Sequence, residues 1–351
     1  MKQSKINEKL QDKLREEVSF GGEFKFKDAK KNFKVDSKKG LIFENDFDDF
    51  KRSGFLLNPK GKKIFYQYWF KDSEKTTILF VPGSFENSST HPKLIYYYLS
   101  WGYNVLTFDQ EGSGESDGIR GQIDDFKDYI KNLDIVTKFF LKKNTPSGDF
   151  FLSGFSFGAF TLLYYLIFFK KKFFYPKKIV LFAPYLKLHE RLKNTFSKIL
   201  LFIPSYFFSK KKILREDKQL IILNGSLEQY FNLNKYLTDN KVFLTTRKLD
   251  SRIHTLNSYR WVSQILSRQK KLQRKIFYCP KVVKTLKNYD ITVFYCEKEA
   301  IVDNRILKKI VDKLGITDNT HYLKNFFHDF LDYENDEAED FYDKLYCVLK
   351  K

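Results

Sequence analysis

The pentapeptide Gly154-Phe155-Ser156-Phe157-Gly158 follows the apolar run from Asp149 to Ser153 and opens a helix at Ala159. A G-x-S-x-G sequence at a strand-to-helix junction forms a tight turn in which the small residues at Gly154 and Gly158 leave Ser156 exposed. A hydroxyl there is suited to acyl transfer, but it is too weakly acidic to attack a carbonyl unaided and needs a base oriented by a third group. Five histidines are available. His91 lies near the start of a helix, His189 and His254 fall in a long insertion, and His321 opens the last strand. His328 alone sits on a loop after that strand, so it is the expected base. The acid should follow the strand before it, where Asp290 to Asn304 offers Glu297, Glu299 and Asp303. Glu299 has the best offset and Asp303 is second.

Charge that develops on a carbonyl oxygen needs preorganised donors. The stretch Val81 to Ser88 follows an early strand, and Gly83 lets its backbone turn toward the nucleophile. The N–H of Ser84 and that of Phe157, the residue after Ser156, are the candidate pair.

These residues require a scaffold that brings distant strand ends together. Short apolar runs at Thr77 to Val81, Tyr103 to Asp109, Asp149 to Ser153 and Lys178 to Pro184 alternate with helical stretches, the mark of βαβ units and a parallel sheet covered on both faces. A hairpin signal at Gly54 to Phe70 precedes them, and candidate strands Ile291 to Cys296 and His321 to Asn325 follow a gap of about a hundred residues. The reading is an α/β fold with a mostly parallel sheet: a polar, helical extension over 1–52, a core over 53–184 and 286–351, and a helical cap over 185–285. An insertion at the C-terminal edge of the sheet would cover the crevice there. The closing helix, Asp336 to Leu349, carries Phe341, Leu345 and Val348 at helical spacing.

Composition narrows the function classes. The formal charge is +20, from 63 Lys+Arg against 43 Asp+Glu. It would attract phosphate, but no recognition-helix, zinc-finger or RNP-type motif accompanies it, so nucleic acid is not expected as a partner. Phe and Tyr are inflated alongside Lys, which favours a compositionally biased surface. Three cysteines without C-x-x-C spacing argue against a disulfide framework or a structural zinc. The charged N-terminus lacks the apolar core of a secretory signal, and the longest apolar runs fall well short of the about 20 residues a bilayer requires. A cytoplasmic enzyme without metal or organic cofactor is the expectation, with peripheral association to anionic membrane as a further option.

The most specific stretch is GYNVLTFDQEGSGESDGIRGQIDDFKDYIKNLD, Gly102 to Asp134. It resembles the monoacylglycerol lipase and lysophospholipase group of α/β-hydrolases at Asp109, Gly112, Gly114, Ser116, Gly118, Arg120, Gly121, Phe126, Asp128, Tyr129 and Leu133. The loop Cys296 to Arg305 is similar to the version found in bacterial lysophospholipases. The resemblance spans about 53–350 and implies an α/β-hydrolase fold, a Ser156-Glu299-His328 triad, and single-chain lipid esters as substrates. Departures are Pro82-Gly83 for the usual His-Gly, Phe155 for the central His of the elbow, and Glu299 for the usual Asp. The resemblance also implies that the cap selects the substrate. Leu188 to Ile203 has Leu192, Phe196, Ile199, Leu200 and Ile203 on one helical face, which could rest on lipid or pack over the pocket. Related aminopeptidases would need cap carboxylates for an α-amine, for which Glu190, Glu216, Asp217 and Glu228 are candidates. A retired hydrolase serving as a membrane-binding module is the remaining alternative.

Overall fold

A computed structural model describes residues 24–25, 32–36, 40–43, 47–169, 174–189, 237–238, 240, 250, 252, 258–333 and 336–351. Among the described residues three short strands come first, β1 (Phe24–Lys25), β2 (Asn32–Asp36) and β3 (Gly40–Phe43), joined as an antiparallel sheet. The expectation over 1–52 is a polar, helical extension, whereas the described residues from 24 to 43 are strand. Leu41 and Phe43 carry the physical reason, since both are buried in a core cluster with Trp69 and Tyr98 and so anchor the segment. The polar helix expected before them lies outside the described residues.

The main sheet comprises β4 (Lys51–Leu57), β5 (Lys63–Trp69), β6 (Thr77–Val81), β7 (Asn104–Phe108), β8 (Phe150–Phe155), β9 (Lys178–Phe182), β10 (Asp290–Lys298) and β11 (Thr320–Phe327). Its order is β11-β10-β9-β8-β6-β7-β5-β4. Only the β4–β5 and β5–β7 pairings are antiparallel. The strands lie close to the positions expected from the sequence, because each is an apolar run too short for a helix and bounded by turn residues. β7 and β8 flank β6 on opposite sides, so chain direction through the sheet reverses there. A crevice opens at the strand C-termini beside such a switch.

Among the described residues seven helices cover the sheet: α1 (Pro92–Ser100), α2 (Phe126–Asn144), α3 (Phe157–Phe168), α4 (Tyr259–Tyr278), α5 (Pro280–Lys287), α6 (Asn304–Leu314) and α7 (Asp336–Lys350). Alternate strand residues feed two cores. Leu79, Val81, Leu152 and Leu181 pack with α2 to α6, while Ile78, Phe80, Phe151 and Phe182 pack with α1 and α7. α3 is buried nearly all round, as expected of an apolar helix without a polar face. Its neighbours are bounded by caps: Asp125 accepts the Lys127 N–H at the start of α2, and Ser258 accepts that of Trp261 in α4.

The cap boundary needs correction. α4 and the start of α5 fall within 185–285, yet Trp261, Ile265, Leu272 and Ile276 belong to the core beneath α2, α3 and α6. A helix with one apolar face takes whichever buried surface it can reach, and here that is the sheet layer. The amphipathic segment from Leu188 to Ile203 lies almost wholly outside the described residues. Its first residue, Leu188, makes an isolated antiparallel bridge with Val302. Among the described residues no helix is long and apolar enough to cross a membrane.

Candidate active site

β8 delivers Ser156 directly from its C-terminal end into α3. The backbone is held at φ 48°, ψ −108°, a region that L residues rarely occupy. Its surroundings over-determine this conformation: Ser156 N–H donates to Phe182 O at 2.8 Å, and Ser156 O accepts from Phe160 and Tyr185 N–H. The flanking glycines are sterically required. A Cβ on Gly158 would lie 2.0 Å from Val81 O, and one on Gly154 would lie 2.8 Å from Leu162 Cδ1. The first close approach brings α3 against the end of β6, so the turn after β6 lies beside Ser156.

The partners arrive from the next pair of strands. β10 and β11 run parallel with Lys298 opposite Phe327, so the residues that emerge just beyond them are neighbours in space. His328 and Glu299 are those residues. His328 Nδ1 lies 2.6 Å from Glu299 Oε2, and His328 Nε2 lies 3.0 Å from Ser156 Oγ, across 172 residues of sequence. Glu299 Oε1 accepts the N–H groups of Ile301 at 2.7 Å and Val302 at 3.0 Å, which fixes the carboxylate. The imidazole packs on Phe155, with ring centroids 5.2 Å apart.

Electrostatics follow from burial and pairing. Burial by itself would raise the Glu299 carboxyl, but the charge and hydrogen bond of His328, with the two backbone N–H groups, hold it below the ordinary carboxylate value. Burial would lower His328, yet Glu299 opposite it, followed by Asp329 and Glu86, brings the imidazole above its ordinary value of 6.5. The other two acid candidates are engaged elsewhere. Glu297 accepts the Asn325 N–H, and Asp303 caps α6 while bound to Arg305 and Lys187.

Around the nucleophile the donors divide. Phe157 N–H is the first of α3 and has no acceptor among the described residues, as expected for an orphan donor at a helix start. Gly83 N–H is turned instead into Glu86 Oε2. Ser84 follows on the same half-buried turn, which passes through Phe85 at φ 65°. Gly83 has no room for a side chain, since a Cβ would meet Glu86 Oε2 at 2.7 Å and Phe155 Cδ1 at 3.0 Å. Asp109 supports this region: Oδ1 accepts Ser88 N–H at 2.6 Å and Oδ2 accepts Glu115 N–H at 2.7 Å. Beneath the turn lies a group that sequence reading missed, Glu86, His91, Asp329 and Asp332, all buried. His91 and Asp332 are 241 residues apart, and no spacing rule links them.

The chain is similar to proteins of known family and fold. The serine aminopeptidase, S33 family matches residues 72–336. The "Probable lysophospholipase L2" of Haemophilus influenzae is 26% identical over 269 residues, 73% of this chain and 79% of that protein. A "Monoglyceride lipase homolog" of monkeypox virus is 31% identical over 107 residues, 30% of this chain and 38% of its own. Among solved structures, a soluble variant of the monoglyceride lipase of Saccharomyces cerevisiae superposes with a TM-score of 0.67 at 18% identity, covering 85% of this chain and 94% of that one. At that identity the likeness speaks for the fold. With its family match across most of the sheet and its shared architecture, the chain belongs to the serine aminopeptidase, S33 family and is an α/β-hydrolase of the monoacylglycerol lipase and lysophospholipase group.

Proposed function

We propose that the protein is a serine ester hydrolase acting on single-chain glycerolipids, a lysophospholipid or a monoacylglycerol. The observation that carries this reading is the unbroken hydrogen-bonded line from Ser156 Oγ through His328 to Glu299. His328 Nε2 takes the Ser156 proton as Oγ attacks the acyl carbonyl carbon. Glu299 holds the Nδ1 tautomer and stabilises the imidazolium that forms. The N–H groups of Phe157 and Ser84 receive the oxyanion. Collapse breaks the ester C–O bond, and His328 returns the proton to the leaving glycerol oxygen. Water, deprotonated by the same imidazole, then attacks the acyl-enzyme, releasing the fatty acid and regenerating Ser156.

The direction of the His328 shift predicts the pH profile. The base must be neutral in the free enzyme, and its folded-state value lies above 6.5. For an uncharged ester kcat/KM should therefore climb with pH through a half-point above 6.5. A half-point in the carboxylate range would remove His328 from the role of base.

Substrate class is supported by the names of the relatives and by surface charge. α4, α5 and α6 pack together and carry thirteen Lys or Arg against one acidic residue, Asp312. Lys270, Lys275, Lys284, Lys309 and Lys313 among them are exposed. Such a face favours an anionic lipid surface presented to a peripheral cytoplasmic enzyme. The test is a panel of lysophospholipids, monoacylglycerols and a prolyl arylamide, with products identified by mass spectrometry. Lipids are supplied in neutral or anionic vesicles. Fatty acid release, faster on anionic vesicles and slowed by added salt, is expected. Arylamine release without fatty acid would assign the protein to peptide hydrolysis instead.

A further inference from the structure

His91 caps α1 and is 1% exposed, in a pocket walled by the rings of Phe80 and Phe155. Its two ring nitrogens face opposite ways. Nε2 lies 3.1 Å from Glu86 Oε2, the same oxygen that accepts the Gly83 N–H. Nδ1 lies 2.5 Å from Asp332 Oδ2, four residues beyond His328, and 3.9 Å from Asp329 Oδ1. Ionised carboxylates only accept hydrogen bonds, so an imidazole serving both must carry a proton on each nitrogen. Glu86, His91 and Asp329 are also close enough to hold a cation. However, both nitrogens already meet carboxylate oxygens at hydrogen-bond length, which leaves His91 no lone pair for a metal.

We propose that His91 is a positioning residue whose imidazolium ties the turn carrying Ser84 to the loop carrying His328. Phe155 completes the tie. Its ring contacts His91 at a centroid distance of 5.1 Å and His328 at 5.2 Å, so both imidazoles bear on one rigid side chain. The two loops are far apart in sequence, and loss of the tie would let one shift against the other. Misplacement of donors by about 1 Å costs roughly a hundredfold in rate. This inference rests on the hydrolase reading of the same site.

Charge balance agrees with the geometry. Burial would strip the proton from His91, but Glu86, Asp332 and Asp329 together keep it well above the ordinary 6.5. Glu86 approaches from the turn after β6, and Asp329 and Asp332 from the loop after β11. Phe80 on β6 and Phe155 on β8 contribute no charge. Lys93 on α1 is directed to Tyr333 O, and Asn240 of the cap donates to Asp332 O. A group raised in this way holds its structural tie at low and neutral pH, and releases it as pH rises through the folded value.

The experiment compares wild type with His91→Gln, which retains an amide donor but cannot hold the charge, and with Asp332→Asn, which weakens the tie from its other end without emptying the pocket. Hydrolysis of a soluble nitrophenyl ester, amide hydrogen exchange and thermal unfolding are measured on each. For His91→Gln, kcat should fall by about a hundredfold with KM within about twofold, because an interaction realised in the transition state is lost. Wild-type kcat should decline at alkaline pH as His91 loses its proton, and that decline should be absent from His91→Gln. Amides in 82–90 and 328–333 should exchange faster together in both variants while the central strands keep their protection. Unchanged exchange in both loops, loosening of one loop without the other, or a loss of kcat that only follows the folded fraction would overturn the proposal. Should Ser156→Ala retain full hydrolysis, the Ser156-based reading of the site would fail, and coupled exchange would still decide whether His91 ties the loops.

Discussion

Replacing Ser156 by alanine is expected to lower kcat on a nitrophenyl ester by roughly a millionfold, with circular dichroism and thermal unfolding unchanged. The size follows from the way such groups act as a unit, since removal of the nucleophile alone costs nearly as much as removal of the whole set. Folding should survive because, among the described residues, the Ser156 hydroxyl hydrogen-bonds only to His328 Nε2, while the strained turn is held by backbone bonds to Phe182, Phe160 and Tyr185. A Cβ remains in alanine, so the glycine clearances around the elbow are not disturbed. Loss of labelling by a fluorophosphonate in the same variant gives a second readout. Wild-type turnover from Ser156→Ala would transfer the chemistry to another residue.

Glu299→Gln is expected to cost about ten-thousandfold in kcat, with KM little changed. An amide of the same shape would still accept from Ile301 and Val302, but it can present its NH2 to His328 and stabilise the wrong tautomer. Asp303→Asn provides the contrast. Asp303 is held well below the usual carboxylate range by Arg305, against a burial effect, with help from Lys187 and the Arg305 N–H. Asparagine still caps α6, so the variant should lose only the ion pairs with Arg305 and Lys187, costing at most about 1 kcal/mol, while leaving kcat within a few-fold. Measuring both variants by steady-state kinetics and thermal unfolding separates the two acids. Equal losses of kcat would deny Glu299 its special place.

Much of this was legible in the residues themselves. The elbow was visible because strand, Gly-x-Ser-x-Gly and helix are contiguous, and local sterics dictate what such a sequence does. The strands were visible because apolar runs of five to nine residues bounded by turns admit few other conformations. The helical character of 185–285 was visible, but the destination of the apolar face of α4 was not. An amphipathic stripe states that a face will be buried and leaves open whether a cap or a sheet buries it, and Trp261 and Leu272 go to the sheet.

The sequence also narrowed the acid to one short loop, within which Glu297, Glu299 and Asp303 remained competitors. Tertiary structure separated them, because the pairing of Lys298 with Phe327 and the bulge before it turn only Glu299 inward, toward the imidazole that emerges beside it. The cluster around His91 belongs wholly to that second kind of information. Sequence alone determines strands, elbow and the order of the reactive groups, since these depend on neighbours along the chain. Which carboxylate meets which histidine depends on the register of parallel strands whose crossovers are long, and only the folded sheet sets it.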